Sequence, residues 1–191
     1  MKVTAFNGSP RKKGNTFIAI NTVFDELEKE SIKTELVHVG GKLIKGCTDC
    51  GKCKKNKDGY CIIEDDIFND CLKKMYDSEG VIIASPVYFG SVTPETKALI
   101  DRTGYCARAN DYLLKRKVGA AIVCLRRGGD VDAFNQINNL FFLNQMIIPC
   151  SVYWNMGLGR KIGEIKADKE GLENYRILGQ NIAWTLKKLN A

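Results

Sequence analysis

The chain has 191 residues, 45% of them hydrophobic and 27% charged, with a formal net charge of +7. That length and balance suit one globular domain with a sizeable core. The N-terminal MKVTAFNGSP holds no apolar run of signal-peptide length, and the longest apolar stretch, Leu140 to Trp154, is broken by Asn144, Gln145 and Pro149, so a cytoplasmic protein without membrane helices is expected.

In chain order, strand-like and helix-like segments alternate. Lys2–Phe6 reads as a strand. Asn15–Lys29 reads as a helix with Ile20, Val23, Phe24 and Leu27 on one face. Thr34–Val39 is a second strand, and a lysine- and cysteine-rich insert follows over residues 42–64. Asp65–Tyr76 is an amphipathic helix with acidic residues in its first turn, and Gly80–Ala84 is a fully apolar third strand. Pro94–Thr103 reads as a helix, Val118–Leu125 as a fourth strand, Val131–Met146 as a helix, Ile147–Tyr153 as a fifth strand and Asp168–Leu189 as a closing helix. This alternation predicts an α/β fold, a doubly wound five-stranded parallel sheet in a single domain over 1–191. The flavodoxin-like order 2-1-3-4-5 fits five strands best and puts the ligand crevice between the ends of strands 1 and 3.

Eight cysteines are present, and four are packed as C-x2-C-x2-C-x7-C: Cys47, Cys50, Cys53 and Cys61. Without an export signal these thiols are expected to stay reduced, so they read as metal ligands rather than disulfides. Three thiols at three-residue intervals suit an iron–sulfur cluster. Structural zinc more often takes two separated C-x2-C pairs, and it remains an alternative, as does an unligated thiol patch. Cys71, Cys106, Cys124 and Cys150 stand in apolar contexts and read as small buried hydrophobes. The single histidine, His38, reads as a strand residue without a chemical role and leaves no room for histidine triads. Six lysines stand against Asp49 and Asp58 in residues 42–61. This is either a solvated loop or an offset to a thiolate-rich centre that also attracts an acidic redox partner. No aromatic–basic alternation accompanies the charge, so nucleic acid is not expected.

Two loops carry the ligand reading. Gly8-Ser9-Pro10-Arg11-Lys12-Lys13-Gly14-Asn15-Thr16 joins the first strand to a helix N-terminus, the arrangement of an anion site. Ser9 and Thr16 offer hydroxyls, Arg11 offers charge, and Asn15 is expected to cap the helix. The loop matches neither the triphosphate nor the dinucleotide fingerprint and so suits a nucleotide monophosphate, or else is an ordinary capped helix behind a basic loop. After the third strand come Pro86, Val87, Tyr88, Phe89 and Gly90. Their two rings can stack on a flat heteroaromatic, or else serve as core or turn. Arg126 and Gly128, after the fourth strand, can reach the polar edge of such a ring.

GSPRKKGNT at 8–16, SPVYFGSVTPETKALIDR at 85–102 and the cysteine motif at 47–61, in that order, resemble the flavodoxin-like NAD(P)H-dependent FMN reductases, specifically their iron–sulfur flavoprotein branch. The resemblance implies FMN held at its phosphate by Ser9, Pro10, Arg11, Gly14, Asn15 and Thr16 and at its ring by residues 86–90. It implies a 4Fe–4S cluster on Cys47, Cys50, Cys53 and Cys61, and electron transfer from a ferredoxin-like donor to oxygen, peroxide or a quinone. Use of NAD(P)H and a cluster-based redox sensor are the alternatives. It further implies a homodimer or homotetramer in which one subunit's cluster lies near another's flavin. Val131–Met146, with Phe134, Phe141, Phe142 and Leu143, either supplies contact surface or packs on the sheet.

Overall fold

Five parallel strands form one sheet in the order β2-β1-β3-β4-β5 in the computed structural model, which describes residues 1–190. β1 (Lys2–Asn7) lies between β2 (Lys33–His38) and β3 (Gly80–Pro86), with Phe6 in register with Val37 and with Ile83. β4 (Val118–Leu125) is buried throughout, as its apolar run requires of a strand covered on both faces. The short β5 (Met156–Leu158) closes the far edge.

The two faces carry separate cores. Helices α1 (Asn15–Lys29) and α6 (Lys169–Leu189) cover one, where Ile20, Val23, Leu27, Tyr175, Leu178 and Ile182 are buried. On the other face lie α3 (Phe68–Tyr76), α4 (Pro94–Ala109) and α5 (Asp130–Leu143), burying Phe68, Met75, Leu99, Ile137 and Phe141. The insert between β2 and α3 contains one short helix, α2 (Lys52–Asn56), which packs on α4. Among the described residues no helix is long and apolar enough to cross a membrane.

Most elements fall where the periodicity puts them; α4 runs on past the expected Thr103 to Ala109, and two further corrections are needed. The fifth strand is not Ile147–Tyr153. Ile147 makes only an isolated bridge to Val118, and the ladder resumes at Met156. Pro149 has no N–H to donate. Asn155 then takes up the sheet edge, accepting from Val123 N at 3.0 Å and donating from Nδ2 to Ala121 O at 3.1 Å. The bypassed segment leaves Val152, Tyr153 and Trp154 exposed, and Cys150 is exposed rather than buried. The second correction is at α3, which begins at Phe68 and not at Asp65. Asp66 instead accepts the Phe68 amide at 3.0 Å and turns its other oxygen to Arg102.

Helices α1 and α6 cross at Gly179. A Cβ there would stand 2.8 Å from both Glu26 Cβ and Val23 O. Helix propensity alone favours alanine by ~1 kcal/mol, but a backbone oxygen cannot yield cheaply and overpacking costs about 1–3 kcal/mol. Gly179→Ala is therefore expected to show a net loss of about 1 kcal/mol in urea unfolding; a net gain would mean that the crossing accommodates a methyl group.

Candidate functional site

The phosphate-type loop is built by its neighbours. Gly8 N donates to Ala84 O at 2.8 Å, and Thr93 Oγ1 donates to Gly8 O at 2.9 Å, so the loops after β1 and β3 are tied together. Gly40 packs on the other side, where a Cβ would fall 2.1 Å from Ser9 O. Ser9 is buried and its Oγ accepts Arg11 N at 3.2 Å. No side chain caps α1, so its first-turn amides and dipole face the loop unopposed. The Thr16 hydroxyl and Asn7 Nδ2 are buried with no hydrogen-bond partner in the protein, a costly state unless a ligand supplies one. Pro10 and Arg11 are exposed at the rim, and Gly14 is buried beneath them.

Asn15 does not cap the helix. Its Nδ2 donates to Lys161 O at 3.0 Å and its Oδ1 accepts Gly163 N at 2.9 Å, which straps residues 159–163 across the start of α1. Arg11 Nη1 reaches Arg160 O at 2.9 Å, and Glu164 accepts the amides of Arg160 and Lys161. This basic strap has a sequence signal that is not periodic: glycines at 157, 159 and 163 flank Arg160 and Lys161 immediately after a strand.

The loop after β3 forms a tight turn in which Tyr88 and Ser91 exchange backbone hydrogen bonds of 2.8 and 3.0 Å. Its central residues, Phe89 and Gly90, both have positive φ, 49° and 74°. For glycine this is ordinary; for phenylalanine it is strained. The turn holds the Phe89 ring fully in solvent and leaves Tyr88 half-exposed. Pro86 and Val87 are partly buried, and Val87 N donates to Cys124 O at 2.9 Å. Gly129 backs onto Gly90, where a Cβ would lie 2.9 Å from Gly90 Cα. That contact brings the exposed Arg126 and Gly128 to the same end of the sheet. Loops 8–16, 86–90 and 126–129 thus surround one crevice at the carboxyl ends of β1, β3 and β4. His38 ends β2 in register with Asn7, its Nδ1 buried and unpaired. Burial first, then Lys12 and Lys42, holds its pKa below the ordinary value.

The second site is a cavity of about 660 Å³ whose wall includes all four clustered cysteines. Cys47 and Cys50 are exposed, and Cys53 and Cys61 are half-buried against the core. α4 and α5 complete the wall with Ile100, Tyr105, Leu140 and Leu143. Asn69 fixes Cys61 from both sides, accepting its N–H at 3.0 Å and donating to its C=O at 2.8 Å. Among the described residues, no three Cys, His, Asp or Glu side chains converge as a single metal ion requires; the thiols are spread round the cavity.

Arg102, on α4, closes the insert at its base. Its fully buried guanidinium donates to Lys45 O at 3.2 Å and Ile63 O at 2.9 Å, pairs with the buried Asp66 carboxylate, and lies 4.0 Å over the Phe68 ring. Lys45 and Ile63 flank the four cysteines, so one side chain joins both ends of that segment. Burial alone would raise the Asp66 carboxyl, but the Lys45 amide, Arg102 and the Phe68 amide outweigh it and hold it below the usual carboxylate value. Asp66 therefore adds stability in full above its unfolded value near 3.8, lost as pH falls through its lower folded value.

Of the remaining cysteines, Cys71 and Cys124 are inert, their thiols pushed up to about 12 by burial. Cys106 is buried too, but beside the cavity; burial and then Cys53 and Cys61 push its thiol up further still. Helix α5 divides its apolar residues. Phe141 is core and Phe134 packs against it, while Phe142 and Leu143 are exposed.

A doubly wound parallel sheet in the order 2-1-3-4-5 is the flavodoxin-like architecture. Residues 1–160 match the family of NADPH-dependent FMN reductases. An iron–sulfur flavoprotein of Methanocaldococcus jannaschii is 36% identical over 98% of each chain, and one of Methanosarcina thermophila is 33% identical over 78% of this chain and 76% of that one. The chain belongs to the NADPH-dependent FMN reductase family, in its iron–sulfur flavoprotein group. Solved structures agree on the fold. RosB bound to 8-demethyl-8-formylriboflavin-5'-phosphate superposes with a TM-score of 0.75 at 18% identity, covering all of this chain and 80% of that one. A flavodoxin, WrbA-like protein from Agrobacterium tumefaciens gives 0.67 at 13% identity, covering 98% and 97%.

Removing one partner of a buried ion pair leaves the other charge stranded, at a cost of about 3–5 kcal/mol. Arg102→Met is expected to lose about that much in denaturant unfolding at pH 7 and to open residues 45–63 to limited proteolysis. Adding Asp66→Leu should recover part of the loss; no recovery would place the effect in packing rather than charge.

Proposed function

We propose that the protein is an oxidoreductase that holds FMN in the crevice and a 4Fe–4S cluster on Cys47, Cys50, Cys53 and Cys61, passing electrons from a ferredoxin-like donor to a small acceptor such as oxygen, peroxide or a quinone. The observation that carries the reading is that Cys47, Cys50, Cys53 and Cys61 all line one cavity, a four-thiolate set of the kind that holds an iron–sulfur cluster. The two groups supply complementary chemistry, since a cluster exchanges single electrons and a flavin one or two.

The chain's own residues bind, orient and insulate. The first-turn amides of α1, Ser9 Oγ and Thr16 Oγ1 are placed to receive a phosphate, with Arg11, Gly14, Asn15 and the strap at 159–163 forming its surround. The 86–90 turn presents Tyr88 and Phe89 to a planar ring, and Arg126 and Gly128 face its polar edge. Helix α4 links the two sites. It starts beside the flavin loop, and its residues from Lys97 to Ala109 line the cysteine cavity. The proposed assembly is a homodimer or homotetramer, in which a partner's crevice meets the cysteine cavity. The exposed Tyr105, Phe142 and Leu143 beside that cavity are the apolar surface such contact needs.

A second reading, reduction directly by NAD(P)H, is favoured by the family's own description. Anaerobic absorption spectra separate the two. The protein is expected to carry about four irons, four sulfides and one FMN per chain, and reduced ferredoxin is expected to bleach it faster than NADPH. The opposite order would favour the second reading, and a colourless protein after reconstitution would end both. Thr16→Val is expected to weaken FMN binding about 10- to 100-fold, the worth of a hydrogen bond to a charged group, with unfolding unchanged because the hydroxyl has no partner in the protein. Fluorescence titration of the flavin-free protein reads this directly.

A further inference from the structure

The loops at the carboxyl edge of the sheet share one sign of charge. Arg11, Lys12 and Lys13 follow β1 and Lys42 follows β2; Arg126 and Arg127 follow β4, and Arg160 and Lys161 follow β5. All eight residues are exposed, and among the described residues none of them forms an ion pair. No acid stands in residues 8–14, 39–43, 86–93, 126–129 or 159–163. Glu95 and Glu164, just behind these stretches, accept loop amides, from Gly41 at 3.0 Å and from Arg160 and Lys161. The whole chain sets 29 Lys and Arg against 22 Asp and Glu, a net charge of +7. Eight cations at one edge account for all of that charge, and the remainder of the chain is close to neutral.

A phosphate monoester carries about two negative charges at pH 7, so most of these cations are surplus to the crevice. The surplus is spread rather than gathered. In the order β2-β1-β3-β4-β5, four of the cations follow strands on each side of β3, and the outermost strands stand about 19 Å apart at the usual strand spacing. Between the two groups, after the central strand, Phe89 stands fully in solvent on a left-handed backbone. An exposed aromatic in the middle of a charged ring is the anatomy of a protein-docking face. A dinucleotide gathers its phosphates in one short stretch and would leave a flank unused. A nucleic-acid strand stacks on successive rings along a basic track, whereas Phe89 and the half-exposed Tyr88 stand at one point. The lysines of the insert are weaker: Lys52, Lys54, Lys55 and Lys57 stand among four thiols and beside Asp49 and Asp58, their local counter-charges.

We infer that the carboxyl edge of the sheet is the docking face for an acidic, ferredoxin-type electron donor, which seats on Phe89 within the ring of eight cations, over the crevice rather than over the lysines of α2. The ring steers the donor from a distance and sets its orientation, and salt weakens both effects. Phe89 supplies the desolvated centre, whose contribution does not depend on salt.

The inference rests on the donor reading proposed above, not on the assembly, and the test separates the two. Binding of an oxidised bacterial two-cluster ferredoxin to the holoprotein is measured by calorimetry from low to high salt, and reduction by the photoreduced ferredoxin by stopped flow. The proteins are the wild type, a rim variant (Lys13→Gln, Lys42→Gln and Arg127→Gln together) and an insert variant (Lys52→Gln, Lys55→Gln and Lys57→Gln together), with FMN and iron counted in each. Both variants lose the same charge from exposed positions. The rim variant is expected to bind ferredoxin about 10-fold more weakly at low salt and to be reduced about 10-fold more slowly, merging with the wild type at high salt; the insert variant should behave as the wild type. Phe89→Ala, with FMN counted, is expected to bind ferredoxin about 10-fold more weakly at every salt concentration. Equal losses in the two charge variants, or loss in the insert variant alone, overturn the inference and leave the donor reading standing. So does a rim variant that keeps its ferredoxin binding but loses affinity for NADPH or for a single-stranded DNA oligonucleotide, or changes its sedimentation, which would give the face to a second copy. Wild type that ferredoxin neither binds nor reduces at any salt would overturn the donor reading as well.

Discussion

The insert that bears the clustered cysteines has almost no regular structure of its own, and what gives it a shape is the buried pair of Arg102 and Asp66. A guanidinium taken out of water is costly unless every contact is good. Arg102 meets that condition with a carboxylate, two carbonyls and the face of Phe68. Those two carbonyls belong to residues on either side of the four thiols. A loop closed at its base loses most of its freedom before any ligand arrives. The ordering cost of the cavity is thus met by folding. Asn69 at Cys61 and Asn110 at Cys53 continue the same work with neutral hydrogen bonds.

The crevice is prepared by a different route. There the sheet does the positioning, because β1 and β3 are neighbours and their loops emerge side by side. Gly8, Thr93 and Ser85 knit the two loops, and Gly129 presses the third loop onto the 88–91 turn. That close approach leaves the turn able to hold Phe89 in a left-handed conformation that its side chain disfavours. Such strain persists only where the surroundings over-determine it. Its effect is an aromatic ring held fully in solvent at the carboxyl end of the sheet.

The sheet was legible because its signals are periodic. β1, β3 and β4 are apolar runs, α1 and α6 carry stripes, and alternation leaves few topologies. What escaped the reading depends on single polar side chains meeting partners far along the chain. Asn155 stands in for a strand residue, so β5 begins after the apolar run rather than within it. Asn15 looked like a cap because of its position, but its carboxamide is claimed by a loop some 146–148 residues away. Arg102 falls on the buried stripe of α4 with Leu99, Thr103 and Cys106. A charge on an apolar stripe is a signal of a buried partner, but nothing local names Asp66 as that partner. The four thiols were legible as a group from their spacing; Cys106 was not, since its proximity to them exists only in three dimensions.

Helix α4 joins these observations. Its N-terminal residues brace the crevice through Thr93 and Thr96, and its middle and last turns brace the cavity through Arg102 and Asn110. A rigid helix fixes the separation of the two sites as firmly as their individual shapes. Neither site can move toward the other without breaking the Arg102 pair at one end or the Thr93–Gly8 bond at the other. Beside that cavity the helix also leaves Tyr105 exposed, next to Phe142 and Leu143 of α5, so apolar side chains meet solvent at the end of the molecule that the Arg102 pair holds in shape.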